Sequence, residues 1–108
     1  VYYPGHASDP QRELALRQSA GGSGLLSFEL KAADIAGVER FCDALKHFLL
    51  AVSWGGHESL VWAMAVVLKP EQPPVNLGGV PWNLVRLSIG LEEPELLIAD
   101  LAQALERV

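Results

Sequence analysis

A chain of 108 residues can close one hydrophobic core and no more. Half of its residues are hydrophobic, only 19% are charged, and the net charge is -5, so eight dispersed Lys and Arg cannot form the basic stripe that nucleic acid requires. The longest apolar run, Leu60 to Leu68, is too short for the roughly 20 residues that span a bilayer.

The chain opens at Val1 without an initiator methionine, and Val1 to Tyr3 already reads as the end of a strand or an entering linker. Together with the surplus of apolar residues, this points to a piece of a longer protein that has left a neighbour behind. Pro4-Gly5 stops the first segment. Ser8 or Asp9 can cap a helix that uses Pro10 in its first turn and runs through Leu14 and Leu16 to about Gln18. The glycines at 21, 22 and 24 invite comparison with a phosphate loop, but no Lys-Ser/Thr opens a helix after them. A strand follows instead, with Leu26, Phe28 and Leu30 on one face and Ser27 and Glu29 on the other.

Asp34 then caps a helix whose stripe is Ile35, Val38, Phe41, Cys42 and Leu45. Cys42, the one cysteine, sits at a core spacing, which predicts a buried structural thiol in a reducing compartment. Phe48 to Ser53 is apolar enough to be a central strand, and it ends at Trp54-Gly55-Gly56-His57-Glu58-Ser59. Leu60 to Leu68 reads as a turn of helix or a fourth strand, and Lys69 to Pro81, with four prolines, as an irregular loop. His6, His47 and His57 are too scattered to predict a metal site, and none is expected.

The last strand and helix are the clearest elements. Val85, Leu87, Ile89 and Leu91 alternate with Arg86 and Ser88, so the first set faces the core and Arg86 the far side of the sheet. Glu92 and Glu93 place negative charge ahead of a helix that starts at Pro94, whose stripe is Leu97, Leu101, Ala104, Leu105 and Val108. An arginine in mid-strand is either solvated on an edge strand or a fork waiting for a carboxylate or phosphate. The element order predicts an α+β fold: a small, mostly antiparallel sheet with helices packed on one face.

Three segments, GLLSFEL at Gly24 to Leu30, VSWGGHESL at Val52 to Leu60 and VRLSIGLEEPELLIADLAQAL at Val85 to Leu105, together resemble one family over nearly the whole chain. It is the pyridoxal-phosphate (PLP) enzymes of cysteine and methionine metabolism, the trans-sulfuration group. The chain is similar to their C-terminal small domain, part of a fold-type I PLP enzyme. The resemblance implies a cytoplasmic PLP-dependent carbon-sulfur lyase as the parent. It also implies two partners: a large cofactor-binding domain of the same protein and further subunits of a homotetramer. The substrate would be a sulfur amino acid.

Within the motifs, the resemblance assigns Arg86 to the substrate α-carboxylate, Ser53 to a backbone contact with the same group, and Trp54 to a third donor through its indole N-H. Val52 falls at a position that varies with specificity. Trp54, and the absence of the HPASMTH-like segment of many γ-enzymes, lean toward cystathionine β-lyase. The alternatives are an O-acyl-homoserine sulfhydrylase, cystathionine γ-synthase or γ-lyase, or a non-catalytic α+β binding or oligomerisation module. None of Lys31, Lys46 and Lys69 lies in the motif of the cofactor lysine. No catalytic or cofactor-binding residue is therefore assigned to this chain, and by itself it is expected to be inactive and to hold no PLP.

Overall fold

The structure, a computed structural model, describes residues 1–68 and 79–108, without the side chains of 67 and 68. The expected loop over Lys69 to Pro81 therefore lies mostly outside the described residues, as does Lys69. In chain order the elements are α1 (Arg12–Gln18), β1 (Leu25–Glu29), α2 (Ile35–Ala44), β2 (Leu49–Leu50), β3 (Leu60–Ala63), α3 (Met64–Leu68), β4 (Leu84–Ser88) and α4 (Pro94–Leu105). The four strands form one sheet in the order β1-β4-β3-β2. β4 is antiparallel to both of its neighbours and only β2 pairs parallel, so the α+β, mostly antiparallel architecture is the one observed.

Alternation in β4 does what its period of two requires. Val85 and Leu87 are buried and lie opposite Phe28 and Leu26 on β1 and Ala63 and Val61 on β3. On that face they meet Val38 and Phe41 of α2 and Leu97 and Ala104 of α4. Phe28 and Phe41 pack edge to face, with centroids 6.1 Å apart at 87°. Burying a side chain the size of Phe41 contributes about 1.5–3 kcal/mol, which makes this cluster the main stabilising feature of the domain. α2 starts where expected, because Asp34 Oδ1 accepts the Gly37 N-H at 2.9 Å. Pro94 opens α4 at its first turn.

Several expectations are corrected. α1 starts at Arg12 with no side-chain cap, since Asp9 Oδ1 instead accepts the Gln11 N-H at 2.8 Å and closes a turn before Pro10 can enter the helix. Phe48 is buried, but Leu49 and Leu50 form a two-residue edge strand and are exposed, so this segment is not central. Leu60 to Leu68 is both of the predicted alternatives in turn: β3, then α3. β4 ends at Ser88, and Leu91 is 85% exposed, outside the core face it was assigned to. In α4 the stripe shifts: Leu105 and Val108 are exposed, and Asp100 is buried between Leu97 and Ala104.

Asp100 explains that shift. Its Oδ1 and Oδ2 accept the Lys46 N-H at 3.0 and 2.9 Å, and Oδ2 also accepts the His47 N-H at 2.7 Å. Gln103 Nε2 donates to Asp100 Oδ1 at 3.0 Å and to the Ala44 carbonyl at 2.6 Å. The carboxylate thus satisfies the turn that leaves α2 and enters β2, a turn whose donors would otherwise be left without partners. Cys42 is half-buried, and burial, with Asp43 and Glu39 adding to it, pushes its thiol up to about 11. It is therefore a protonated, weakly nucleophilic packing residue at neutral pH. Among the described residues no helix is long and apolar enough to cross a membrane.

Candidate functional site

Beyond the core face, β4 and the residues after it hold one loop, 52–59, through every second position. Arg86 Nη2 donates to the Val52 carbonyl and, at 3.1 Å, to the Ser53 carbonyl. Ser88 Oγ accepts the Gly55 N-H at 3.1 Å. Gly90 N-H donates to Ser59 Oγ at 2.9 Å. Glu92 closes the row, accepting the Ser59 N-H on Oε1 at 2.8 Å and the Ser59 hydroxyl on Oε2 at 2.7 Å. The loop lies so close that a Cβ on Gly90 would stand 2.3 Å from the His57 carbonyl oxygen, and only glycine fits there. Gly55, at φ +78, supplies the left-handed residue that turns the loop back.

This row brings together all four residues singled out from the sequence. Val52 and Ser53 present their carbonyls to Arg86, and Trp54, 64% exposed, stands between the residues that Arg86 and Ser88 hold. Alternation places Ser88 on the Arg86 face; Ser59, Gly90 and Glu92 are not predicted as site residues, and the two-residue step from Arg86 to Glu92 is the sequence signal for the last two.

β4 is a central strand, so Arg86 is not the solvated edge residue of the bland alternative. Its guanidinium is half-buried, and Nε is shielded from solvent without a hydrogen-bond partner among the described residues. The one ion pair among the described residues is elsewhere, between His57 Nδ1 and Glu58 at 3.1 Å. Arg86 therefore bonds to neutral carbonyls and has no described carboxylate partner. A guanidinium has five donors in a fixed fork, and two neutral acceptors leave its charge without a counter-ion. An anion with two oxygens is what this arrangement can receive.

The described lysines lie away from the loop. Lys46 sits at the α2 turn against Asp100, and Lys31 lines a hollow with Leu105 and Val108 at the end of α4. Among the described residues no cluster of His, Cys, Asp and Glu could hold a metal ion.

Glu92 is held below the ordinary carboxylate range, first by the Ser59 hydroxyl and then by the Ser59 N-H, with its own backbone N-H and His47 adding to the effect. Since the folded value is the lower one, its contribution to stability is complete above the ordinary carboxylate range. It is lost as pH falls through the depressed value. We expect Glu92→Gln to be less stable than wild type by a constant margin above about pH 5, and the margin to shrink on further acidification. Urea midpoints measured from pH 7 to pH 3 check this, and a margin that stays constant to pH 3 contradicts it.

The family model described as Cys/Met metabolism PLP-dependent enzyme matches residues 1–106. Among curated proteins, the chain is 43% identical over 108 residues to cystathionine gamma-lyase of Sus scrofa, covering 98% of this chain and 26% of that protein. It is 40% identical over 109 residues to cystathionine beta-lyase of Lactococcus lactis subsp. cremoris (strain MG1363), covering 99% of this chain and 28% of that one. Among solved structures it is similar to cystathionine gamma synthase from Xanthomonas oryzae pv. oryzae in complex with aminoacrylate and cysteine. The TM-score is 0.83 at 37% identity, over 98% of this chain and 28% of that one. The chain thus spans about a quarter of the length of the relatives it matches.

Proposed function

The chain belongs to the Cys/Met metabolism PLP-dependent enzymes, and from that premise we propose that it is the C-terminal small domain of a carbon-sulfur lyase. Its task is to receive the α-carboxylate of a sulfur amino acid. The observation that carries this reading is Arg86: a half-buried guanidinium on a central strand, with a shielded Nε and no described carboxylate partner, bonded to the Val52 and Ser53 carbonyls.

PLP, when bound by the rest of the enzyme, supplies the electron sink for the chemistry. The described residues at the Arg86 loop include no lysine and no phosphate cradle, so the cofactor would be held by a large domain outside this chain. What this chain does is position. Arg86 grips the carboxylate at two points, the Val52 and Ser53 carbonyls keep the guanidinium in place, and Trp54 offers an indole donor and a ring that can shut out water. A substrate fixed by its carboxylate presents its Cα-H bond in one orientation to a base elsewhere in the enzyme. The exposed apolar residues Leu49, Leu50, Val52 and Trp54 suit a surface covered by that large domain or by another subunit.

Trp54 and the absence of the HPASMTH-like segment favour β-elimination, the cystathionine β-lyase reaction. The 43% identity to a cystathionine gamma-lyase favours the γ-reaction as the second reading. The two differ in their products. β-Elimination from L-cystathionine yields pyruvate, ammonia and homocysteine, whereas γ-elimination yields 2-oxobutyrate, ammonia and cysteine. Chromatography of the oxo acids released by the full-length, PLP-loaded protein is expected to show pyruvate. 2-Oxobutyrate as the main product would move the assignment to the γ-enzymes, and neither product would overturn the lyase reading.

A further inference from the structure

The contacts that fasten loop 52–59 divide it into three parts. Its far end is anchored by main chain and carboxylate: Gly90 and Glu92 hold Ser59, and the Leu91 N-H donates to the His57 carbonyl at 2.8 Å. Its near end, Val52 and Ser53, is held by the same guanidinium that must also meet a substrate. Between them, Trp54 and Gly55 are tied to the body by one hydrogen bond among the described residues, from the Gly55 N-H to Ser88 Oγ at 3.1 Å.

That middle part has little else to keep it still. Trp54 is largely exposed, and nothing lies within 4 Å of where a Cβ of Gly55 would stand. Ser88 is the opposite case. It is 3% exposed on a central strand, registered against Leu25 on one side and Leu60 on the other, so its hydroxyl has a fixed position. A rigid acceptor holding the one tied amide of an exposed turn determines where that turn sits.

We propose that Ser88 is a positioning residue for recognition of the substrate carboxylate. By holding the Gly55 amide, it sets the Ser53-Trp54-Gly55 segment against the Arg86 guanidinium. The role deepens the assignment of Arg86 as the carboxylate anchor and rests on it. Ser88 is buried and acts through the Gly55 amide, so its loss acts on how the carboxylate is gripped and much less on the bond-breaking step.

The test uses the full-length, PLP-loaded enzyme with Ser88→Ala, Ser88→Thr and, as a reference, Arg86→Ala. Three readouts are taken: steady-state rates on L-cystathionine, calorimetric binding of glycine as an amino acid that has no sulfur leaving group, and hydrogen exchange over residues 52–58. Ser88→Ala is expected to raise KM, and to weaken glycine binding, by about tenfold while kcat stays within about twofold, as loss of one well-placed hydrogen bond would do. Exchange over the loop speeds up in the same variant. Ser88→Thr, which keeps the hydroxyl, restores all three.

Faster exchange with wild-type KM and wild-type glycine binding makes Ser88 a stability residue only and overturns the proposal, while an impaired Arg86→Ala leaves the anchor standing. Wild-type behaviour in both alanine variants overturns the anchor and the positioning role together. Should Ser88→Ala fail to fold, Ser88→Cys keeps the volume with a poorer acceptor, and an unchanged KM in that variant overturns the proposal equally.

Discussion

Replacing Arg86 by alanine in the full-length enzyme is expected to lower kcat/KM on L-cystathionine by about 10- to 150-fold. The range follows from losing a charge-assisted pair worth about 1.5–3 kcal/mol, at about 1.4 kcal/mol per decade. The structure moves the expectation toward the upper end of that range. Arg86 Nη2 also donates to the carbonyls of Val52 and Ser53, so alanine removes the proposed anchor and loosens the near end of the loop with it.

Lysine at 86 should restore only part of the rate, because an ammonium keeps the charge but cannot hold two carbonyls and a carboxylate with one planar fork. Steady-state rates for the three proteins, with cofactor occupancy checked by absorbance, decide the matter. If Arg86 were a solvated strand residue, alanine would leave the kinetics unchanged and shift stability by no more than about 0.5 kcal/mol. Wild-type kcat/KM in the alanine variant would end the anchor assignment.

The second large effect is on stability. Asp100→Ala strips the partner from the Lys46 and His47 N-H groups and one of two acceptors from Gln103 at a site 3% exposed, and is expected to destabilise the fold by about 3–5 kcal/mol. Asp100→Asn keeps one acceptor oxygen but turns an amide donor toward groups that are themselves donors, so it should recover less than half of the loss. Urea denaturation followed by circular dichroism measures both variants. A change under about 1 kcal/mol for Asp100→Ala would mean that water satisfies this turn as well as the carboxylate does.

Asp100 also shows where sequence reading stops. In α4 it lies on the side of the stripe, three residues after Leu97 and four before Ala104, but apart from Gln103 nothing within a turn of helix supplies the donors a buried carboxylate needs. Its backbone partners are 53 and 54 residues away. The burial of an acid depends on what meets it, and what meets it is the turn after α2. Leu105 and Val108 are the same case reversed: their spacing fits the stripe, yet they stand exposed beside an open hollow that Phe28 to Lys31 also line.

Local rules, by contrast, are legible in α2, β4 and α4, where cause and effect lie within a few residues. Asp34 caps α2 because its carboxylate meets an amide three residues on, and Pro94 opens α4 because a first-turn residue needs no N-H. Val85 and Leu87 share a face because extended backbone alternates. The motif of Arg86 and the Val52 to Trp54 segment also carried the family resemblance, which the family model supports over residues 1–106.

The sequence by itself thus determined β1, α2, β4 and α4, the α+β class and the family, since each depends on local periodicity, capping or a contiguous motif. Only the tertiary structure decided that β4 is central and β2 an edge, that Arg86 is half-buried and bonded to loop carbonyls, and that Ser88 and Glu92 hold the loop in register. The physical reason is that burial and pairing belong to contacts between segments about 30 to 50 residues apart. No local pattern encodes which segment a strand face will meet until loop closure has brought the two together.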